Sequence, residues 1–144
     1  MELKRLKDIR EENDLTQTKI ANILNIKRSA YSLWELGINT IPIKYLNMFC
    51  NYFKVSMDYV LGLTNIKNYN IINNEIDLNI LASRLKEIRL KEEKTQIEIA
   101  KLLNTTHSTW SAYENGKVII PTIFIFTFAK EYKCSVDWLC GKIK

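Results

Sequence analysis

The strongest constraint on this chain is that it is written nearly twice. Arg5-Leu6-Lys7-Asp8-Ile9-Arg10 returns as Arg84-Leu85-Lys86-Glu87-Ile88-Arg89, a displacement of 79 residues from 5 to 84. The same displacement carries Thr16-Gln17 onto Thr95-Gln96, Ile20-Ala21 onto Ile99-Ala100, Pro42 onto Pro121 and Asp58 onto Asp137 without a gap. Glu35-Leu36-Gly37 likewise falls on Glu114-Asn115-Gly116. A self-similar unit this long exceeds the periods of stacking repeats, so the chain reads as a duplicated small domain. Residues 1–64 form the first copy, 65–79 a linker and 80–144 the second. Each copy has about 60 residues, near the lower limit at which one hydrophobic core stabilises itself without disulfides or metal.

Composition narrows the class. Hydrophobic residues make up 47% and charged residues 26%, values ordinary for a globular protein. No apolar run approaches the ~18 residues that cross a bilayer, and the charged opening Met1-Glu2-Leu3-Lys4 is no secretory signal, so a cytoplasmic protein without a membrane partner is expected. Cys50, Cys134 and Cys140 lack a metal-binding or redox spacing and match Ala129, Val55 and Leu61 of the other copy, which marks them as small core residues in a reducing compartment. The charge of +5 divides as ten basic minus seven acidic residues over 1–72, and eleven minus nine over 73–144. A basic excess in both halves is compatible with nucleic acid. One histidine, no Ser-His-Asp set, no glycine-rich phosphate loop and no cluster of metal ligands leave no constellation for catalysis, so neither enzyme activity nor a cofactor is expected.

Apolar spacing predicts helices throughout and no strand. Leu6 and Ile9, and Leu81, Leu85 and Ile88, mark an opening amphipathic helix in each copy. Thr16 and Thr95 occupy N-cap positions, and Thr95-Gln96-Ile97-Glu98 spells a capping box. A second helix buries Ile20, Ile23 and Leu24, or Ile99, Leu102 and Leu103, with a small Ala21 or Ala100 beside the stripe where another helix can cross closely. Asn25 and Asn104 tolerate the left-handed turn that ends it. A third short helix, from about residue 27 to 35 and again from about 106 to 114, anchors itself by Tyr31 and Trp34 or by Trp110 and Tyr113. Gly37 or Gly116 closes that helix, Pro42 or Pro121 opens a fourth, and Ser56 or Ser135 caps a fifth.

Two short helices joined by a tight turn, with a small residue in the first and aromatic anchors in the second, make a helix-turn-helix. At Thr16-Gln17-x-x-Ile20-Ala21-x-x-Leu24-Asn25, Ser32-x-x-Glu35-x-Gly37, Pro42 and Val55-Ser56-Met57-Asp58-Tyr59-Val60-Leu61 the chain resembles the phage repressor and Cro proteins, the lambda-repressor-like or XRE family. The counterparts from Thr95 to Leu139 resemble it equally, and only the linker lies outside. The resemblance implies an all-α fold of two tandem five-helix domains and a sequence-specific transcriptional regulator of double-stranded DNA, in the first instance a repressor. It also implies that the third helix meets base edges with Lys27, Arg28, Ser29 and Leu33 in the first copy, and with Thr106, His107, Ser108 and Ala112 in the second. Gln17 and Gln96 are then placed at backbone phosphate, with Lys19, Lys27, Lys44 and Lys117 as further phosphate candidates. Glu35 and Glu114 match a position that pairs structurally with an arginine of the first helix, here Arg10 and Arg89. The chain differs from the family pattern in Asn25 and Asn104, where glycine is common, and in Leu36, where a small polar residue usually stands.

Physical chemistry supports Arg28 independently, because a guanidinium at the exposed start of a groove-sized helix can bond guanine O6 and N7 together. The plainer readings stay open beside it: Arg28 as a solvated surface arginine, His107 as a neutral polar surface residue. A linker of 15 residues spans ~50 Å when extended, against ~34 Å between half-sites, so one chain could act as a built-in dimer. Because the segments at 26–30 and 105–109 differ in charge and hydrogen bonding, the preferred site should be asymmetric. The alternative reading is a protein-interaction or antitoxin-like module in which one copy mediates self-association. Its motive is the extra apolar face of Ile123 and Phe126, which suits a homodimer unless the linker isoleucines cover it.

Overall fold

A computed structural model describes all 144 residues, Met1–Lys144. They form ten α-helices and no strand, divided between two compact units, Met1–Tyr69 and Asn70–Lys144. The first unit holds α1 (Lys4–Glu12), α2 (Gln17–Leu24), α3 (Arg28–Glu35), α4 (Ile43–Phe53) and α5 (Met57–Val60). The second holds α6 (Leu78–Lys91), α7 (Gln96–Leu102), α8 (His107–Glu114), α9 (Thr122–Tyr132) and α10 (Val136–Leu139).

Local chemistry sets the helix ends. The Thr16 hydroxyl accepts from Lys19 N, and Thr95 completes the full capping box, accepting from Glu98 N while its own N–H donates to Glu98 Oε1 at 3.1 Å. Ser56 and Ser135 cap α5 and α10 by accepting from Tyr59 N and Trp138 N. Pro42 and Pro121 stand at the N-caps of α4 and α9, where a missing N–H costs nothing. Every positive-φ residue has its repeat partner in the same conformation: Asp14 with Glu93, Asn25 with Asn104, Gly37 with Gly116, Lys54 with Lys133, and Gly62 with Gly141. Gly37 is needed twice over. Its φ is +73°, and a Cβ there would lie 2.9 Å from Glu2 Cβ and 3.0 Å from Glu2 Cα.

In each unit the apolar stripes converge on one core. Leu6, Ile20, Leu24, Tyr31, Leu46, Phe49 and Met57 are buried in the first, and Leu85, Ile99, Trp110, Ile125, Phe128 and Leu139 in the second. Trp110 lies nearly parallel to Phe128 with ring centroids 5.3 Å apart, so the aromatic side of α8 is fixed against α9. On α3 the ring contact with α4 is Trp34 on Tyr45 at 5.6 Å, the repeat counterpart of Tyr113 and Phe124 at 6.4 Å. Cys50 and Cys140 are buried and Cys134 is half-buried. No helix is long and apolar enough to cross a membrane.

Two features were invisible in the apolar pattern. Arg5 donates to the carbonyls of Tyr59 and Thr64, both at 2.6 Å, with its guanidinium 4.1 Å from the centre of the Tyr59 ring. Arg84 repeats the arrangement with the Trp138 carbonyl and the Trp138 ring, and in each unit this arginine ties the first helix to the last. The second feature is the fate of residues 65–79. Ser56 N donates to the Lys67 carbonyl at 2.6 Å and the Tyr69 hydroxyl donates to Asp58 Oδ2 at 3.0 Å, inside the first unit. Ile72 N donates to the Lys142 carbonyl at 2.8 Å and Asp77 caps α6, which already begins at Leu78, inside the second. Part of this stretch is therefore tied to one unit or the other.

Candidate nucleic-acid interface

The site is built from α2 and α3 in the first unit and from α7 and α8 in the second, the pairs that pack together most extensively in each. Tyr31 and Trp34 bury one side of α3, as Trp110 and Tyr113 bury one side of α8. The opposite side at the start of each helix faces water. Lys27, Arg28 and Ser29 are exposed, as are Thr106, His107 and Ser108, while Leu33 and Ala112 are half-buried one turn further along. The Thr106 hydroxyl is engaged locally, accepting from Thr109 N at 3.2 Å as the cap of α8.

A chain of hydrogen bonds runs from the interior to this exposed end, and it is the same in both units. Arg10 grips Glu35 with two bonds, Nε to Oε2 at 2.7 Å and Nη2 to Oε1 at 2.9 Å. Gln17 Nε2 donates to Glu35 Oε1 at 3.1 Å, and Arg28 Nη1 donates in turn to Gln17 Oε1 at 3.1 Å. In the second unit Arg89 Nε and Nη2 donate to Glu114 at 2.6 and 3.0 Å, Gln96 Nε2 donates to Glu114 Oε1 at 3.1 Å, and His107 Nε2 lies 2.8 Å from Gln96 Oε1. The expected Arg–Glu pairs are thus present in the geometry that suits a carboxylate best. Gln17 and Gln96, read from the sequence only as phosphate contacts, also join that pair to the residue at the tip of the next helix.

Burial pushes the Glu35 and Glu114 carboxyls up, but the bonds that each accepts outweigh it and hold both below the ordinary carboxylate range. Those bonds come from Arg10 and Gln17 around Glu35, and from Arg89, Gln96 and Trp110 around Glu114. The Tyr31 side is the poorer one. Its buried hydroxyl sits by Glu35 without a hydrogen-bond partner, whereas Trp110, its repeat partner, donates Nε1–H to Glu114.

Both units thus present a short helix that is held by its aromatic side and by a polar chain to the preceding helix, with its opposite side open. This is a tandem helix-turn-helix protein. The family model described as "Helix-turn-helix" matches residues 6–60 and 85–139, and the chain belongs to that family, in its XRE-type form. Among curated proteins it is 32% identical over 59 residues to the antitoxin PezA of Streptococcus pneumoniae serotype 4, covering 41% of this chain and 37% of the relative. It is 33% identical over 64 residues to the uncharacterized HTH-type transcriptional regulator YobD of Bacillus subtilis, covering 44% of this chain and 57% of YobD. It is 41% identical over 56 residues to the uncharacterized HTH-type transcriptional regulator YqaE of the same organism, covering 39% and 48%. The chain therefore matches between 37% and 57% of these relatives' lengths. No solved structure gives a significant match.

Proposed function

We propose that this chain is a cytoplasmic, sequence-specific double-stranded-DNA-binding transcriptional regulator acting as a repressor, with α3 and α8 as its recognition helices. The observation that carries this reading is the duplicated placement of Arg28 and His107. Each stands exposed at the start of a helix whose other face is anchored by aromatic rings, and each is held by a glutamine from the preceding helix. A helix so held can lie in a major groove with its first turn against base edges. Lys27, Ser29 and Ser108 are exposed beside them, Leu33 and Ala112 are half-buried one turn on, and Thr106 opens α8. Gln17 and Gln96 retain a second amide proton, beyond the one given to glutamate, for a backbone phosphate. The test is a fluorescence anisotropy titration on a site selected from random duplexes. Arg28→Ala loses about 1–3 kcal/mol of specific affinity while non-specific binding stays nearly constant. Equal specific affinity in the variant refutes the role of this residue.

A second reading is favoured by the surface of α9. Ile123 is 43% exposed, and Phe126 is half-buried with the Lys130 ammonium 5.8 Å from its ring centre. Two chains pairing through Ile123 and Phe126 would cover this face. Sedimentation analysis distinguishes them: Phe126→Asp abolishes a dimer if the face is used, and an unchanged mass with intact folding rejects it.

A further inference from the structure

We propose that the two recognition helices select bases of opposite hydrogen-bonding polarity: guanine by Arg28 in the first unit, and adenine or cytosine by Nδ1 of His107 in the second. The inference rests on the DNA-binding reading above and adds the class of base that each half takes.

The polarity follows from the buried end of each chain of bonds. Glu114 is an ionised acceptor, held by two donors from Arg89, so the Gln96 group that meets it is the NH2 and not the carbonyl. The Gln96 carbonyl oxygen is thereby turned to His107. Oxygen there only accepts, so the His107 nitrogen at 2.8 Å, Nε2, carries the proton. A neutral imidazole has a single N–H, which leaves Nδ1 as a bare acceptor with no partner in the protein. In the major groove the only base groups that can donate to it are the exocyclic amines, N6 of adenine and N4 of cytosine. Guanine N7 and O6 and thymine O4 oppose it lone pair to lone pair.

The first unit obeys the same logic with the opposite result. Glu35 turns the Gln17 amide the same way, and Gln17 Oε1 takes one N–H from Arg28 Nη1. A guanidinium has no acceptor in any state, and its remaining N–H groups have no partner in the protein. They match the paired acceptors of guanine. One inherited polar chain, ending in a donor-only residue in one copy and an enforced acceptor in the other, therefore reads two base classes. The asymmetry lies in Arg28 against His107, since Gln17, Gln96, Glu35 and Glu114 are unchanged between copies.

Two measurements test this. The chain contains one histidine, so long-range 1H–15N correlation spectra of the free protein at about pH 8 report its tautomer without assignment ambiguity. The Nε2–H form is expected, and a dominant Nδ1–H form overturns the inference whatever the protein binds. Selection from random duplexes at the same pH is then run with the wild type and with His107→Arg, an exposed substitution whose folding is checked by circular dichroism. The wild-type site should hold guanine at the position read by the first unit, and adenine or cytosine at the matching position of the second. Guanine placed at that second position should weaken binding about fivefold to tenfold. The variant should move the second position to guanine and leave the first half unaltered. Duplex binding with guanine or thymine already preferred at the second position, or with no change in the variant, overturns the base assignment alone. Failure to retain any duplex overturns the DNA-binding reading along with it.

Discussion

Glu114→Ala should cost the second unit most of its stability. In the folded state this carboxylate accepts from Arg89 Nε, Arg89 Nη2, Gln96 Nε2 and Trp110 Nε1, and its side chain is 1% exposed. Removing it strands the Arg89 guanidinium, whose side chain is 10% exposed and whose one other bond is to the Lys94 carbonyl at 2.9 Å. Breaking a buried pair in this way costs about 3–5 kcal/mol, because the surviving charge is left desolvated without its counterion. Residues 70–144 at the usual ~0.05–0.15 kcal/mol per residue would hold about 4–11 kcal/mol, and small domains lie toward the low end. The first unit keeps its own intact Arg10–Glu35 pair. Urea unfolding of the variant, followed by far-ultraviolet circular dichroism, should therefore split, with roughly half the helical signal lost at much lower denaturant. Removing both charges, as Arg89→Met with Glu114→Met, should recover about 2 kcal/mol, and no more, since Trp110 Nε1 still lacks its acceptor. A Glu114→Ala transition that stays single and moves by less than about 1 kcal/mol would refute the view that this pair holds the unit together.

Acid should act on the same two groups. Glu35 and Glu114 have folded pKa values below the ordinary one, burial being outweighed by the bonds from arginine, glutamine and, at Glu114, Trp110. The unfolded chain therefore takes up these protons first, so their contribution is complete above about pH 4.5 and is lost as the pH falls through it toward the folded values. Thermal unfolding between about pH 7 and pH 3 should show this loss, and Glu35→Gln with Glu114→Gln should flatten it; equal acid sensitivity in that double variant refutes the assignment. Lys54 and Lys133 close α4 and α9 with φ of 55° and 53°, a conformation that burdens a side chain but not glycine. Lys54→Gly and Lys133→Gly should each stabilise their unit by about 0.5–1 kcal/mol, a rise in melting temperature of a few degrees by calorimetry. A fall in either melting temperature would mean that the lysine stem contributes packing that outweighs the backbone strain.

Much of this architecture was legible because its determinants are local and stated twice. Thr95 with Glu98, Asn25 with Asn104 and Pro42 with Pro121 act within a few residues of themselves, so spacing alone identifies the helix ends they make. The family resemblance supplied the long-range pairs of Arg10 with Glu35 and Arg89 with Glu114, which no local rule gives. Arg5 and Arg84 recur as faithfully, yet their partners are the carbonyls of Tyr59 and Trp138, and a backbone oxygen leaves no mark in a sequence. The bonds that join Lys67, Tyr69 and Ile72 to the two units were hidden for a related reason: the stretch has no copy, and only folding brings it against Ser56, Asp58 and Lys142.

The least legible property is the orientation of two side-chain amides. Gln17 and Gln96 announce a polar group at a helix start, and nothing within the helix says whether nitrogen or oxygen points at the next one. That choice is made by a glutamate 18 residues away, through a single bond of 3.1 Å in each unit. Reversing the amide would set its NH2 against Arg28 and its oxygen against a carboxylate, two repulsive contacts in place of two attractive ones. The buried ion pair thus does more than fasten α1 to α3 and α6 to α8. By fixing which end of the glutamine is an acceptor, it decides which atom the exposed tip has left to offer.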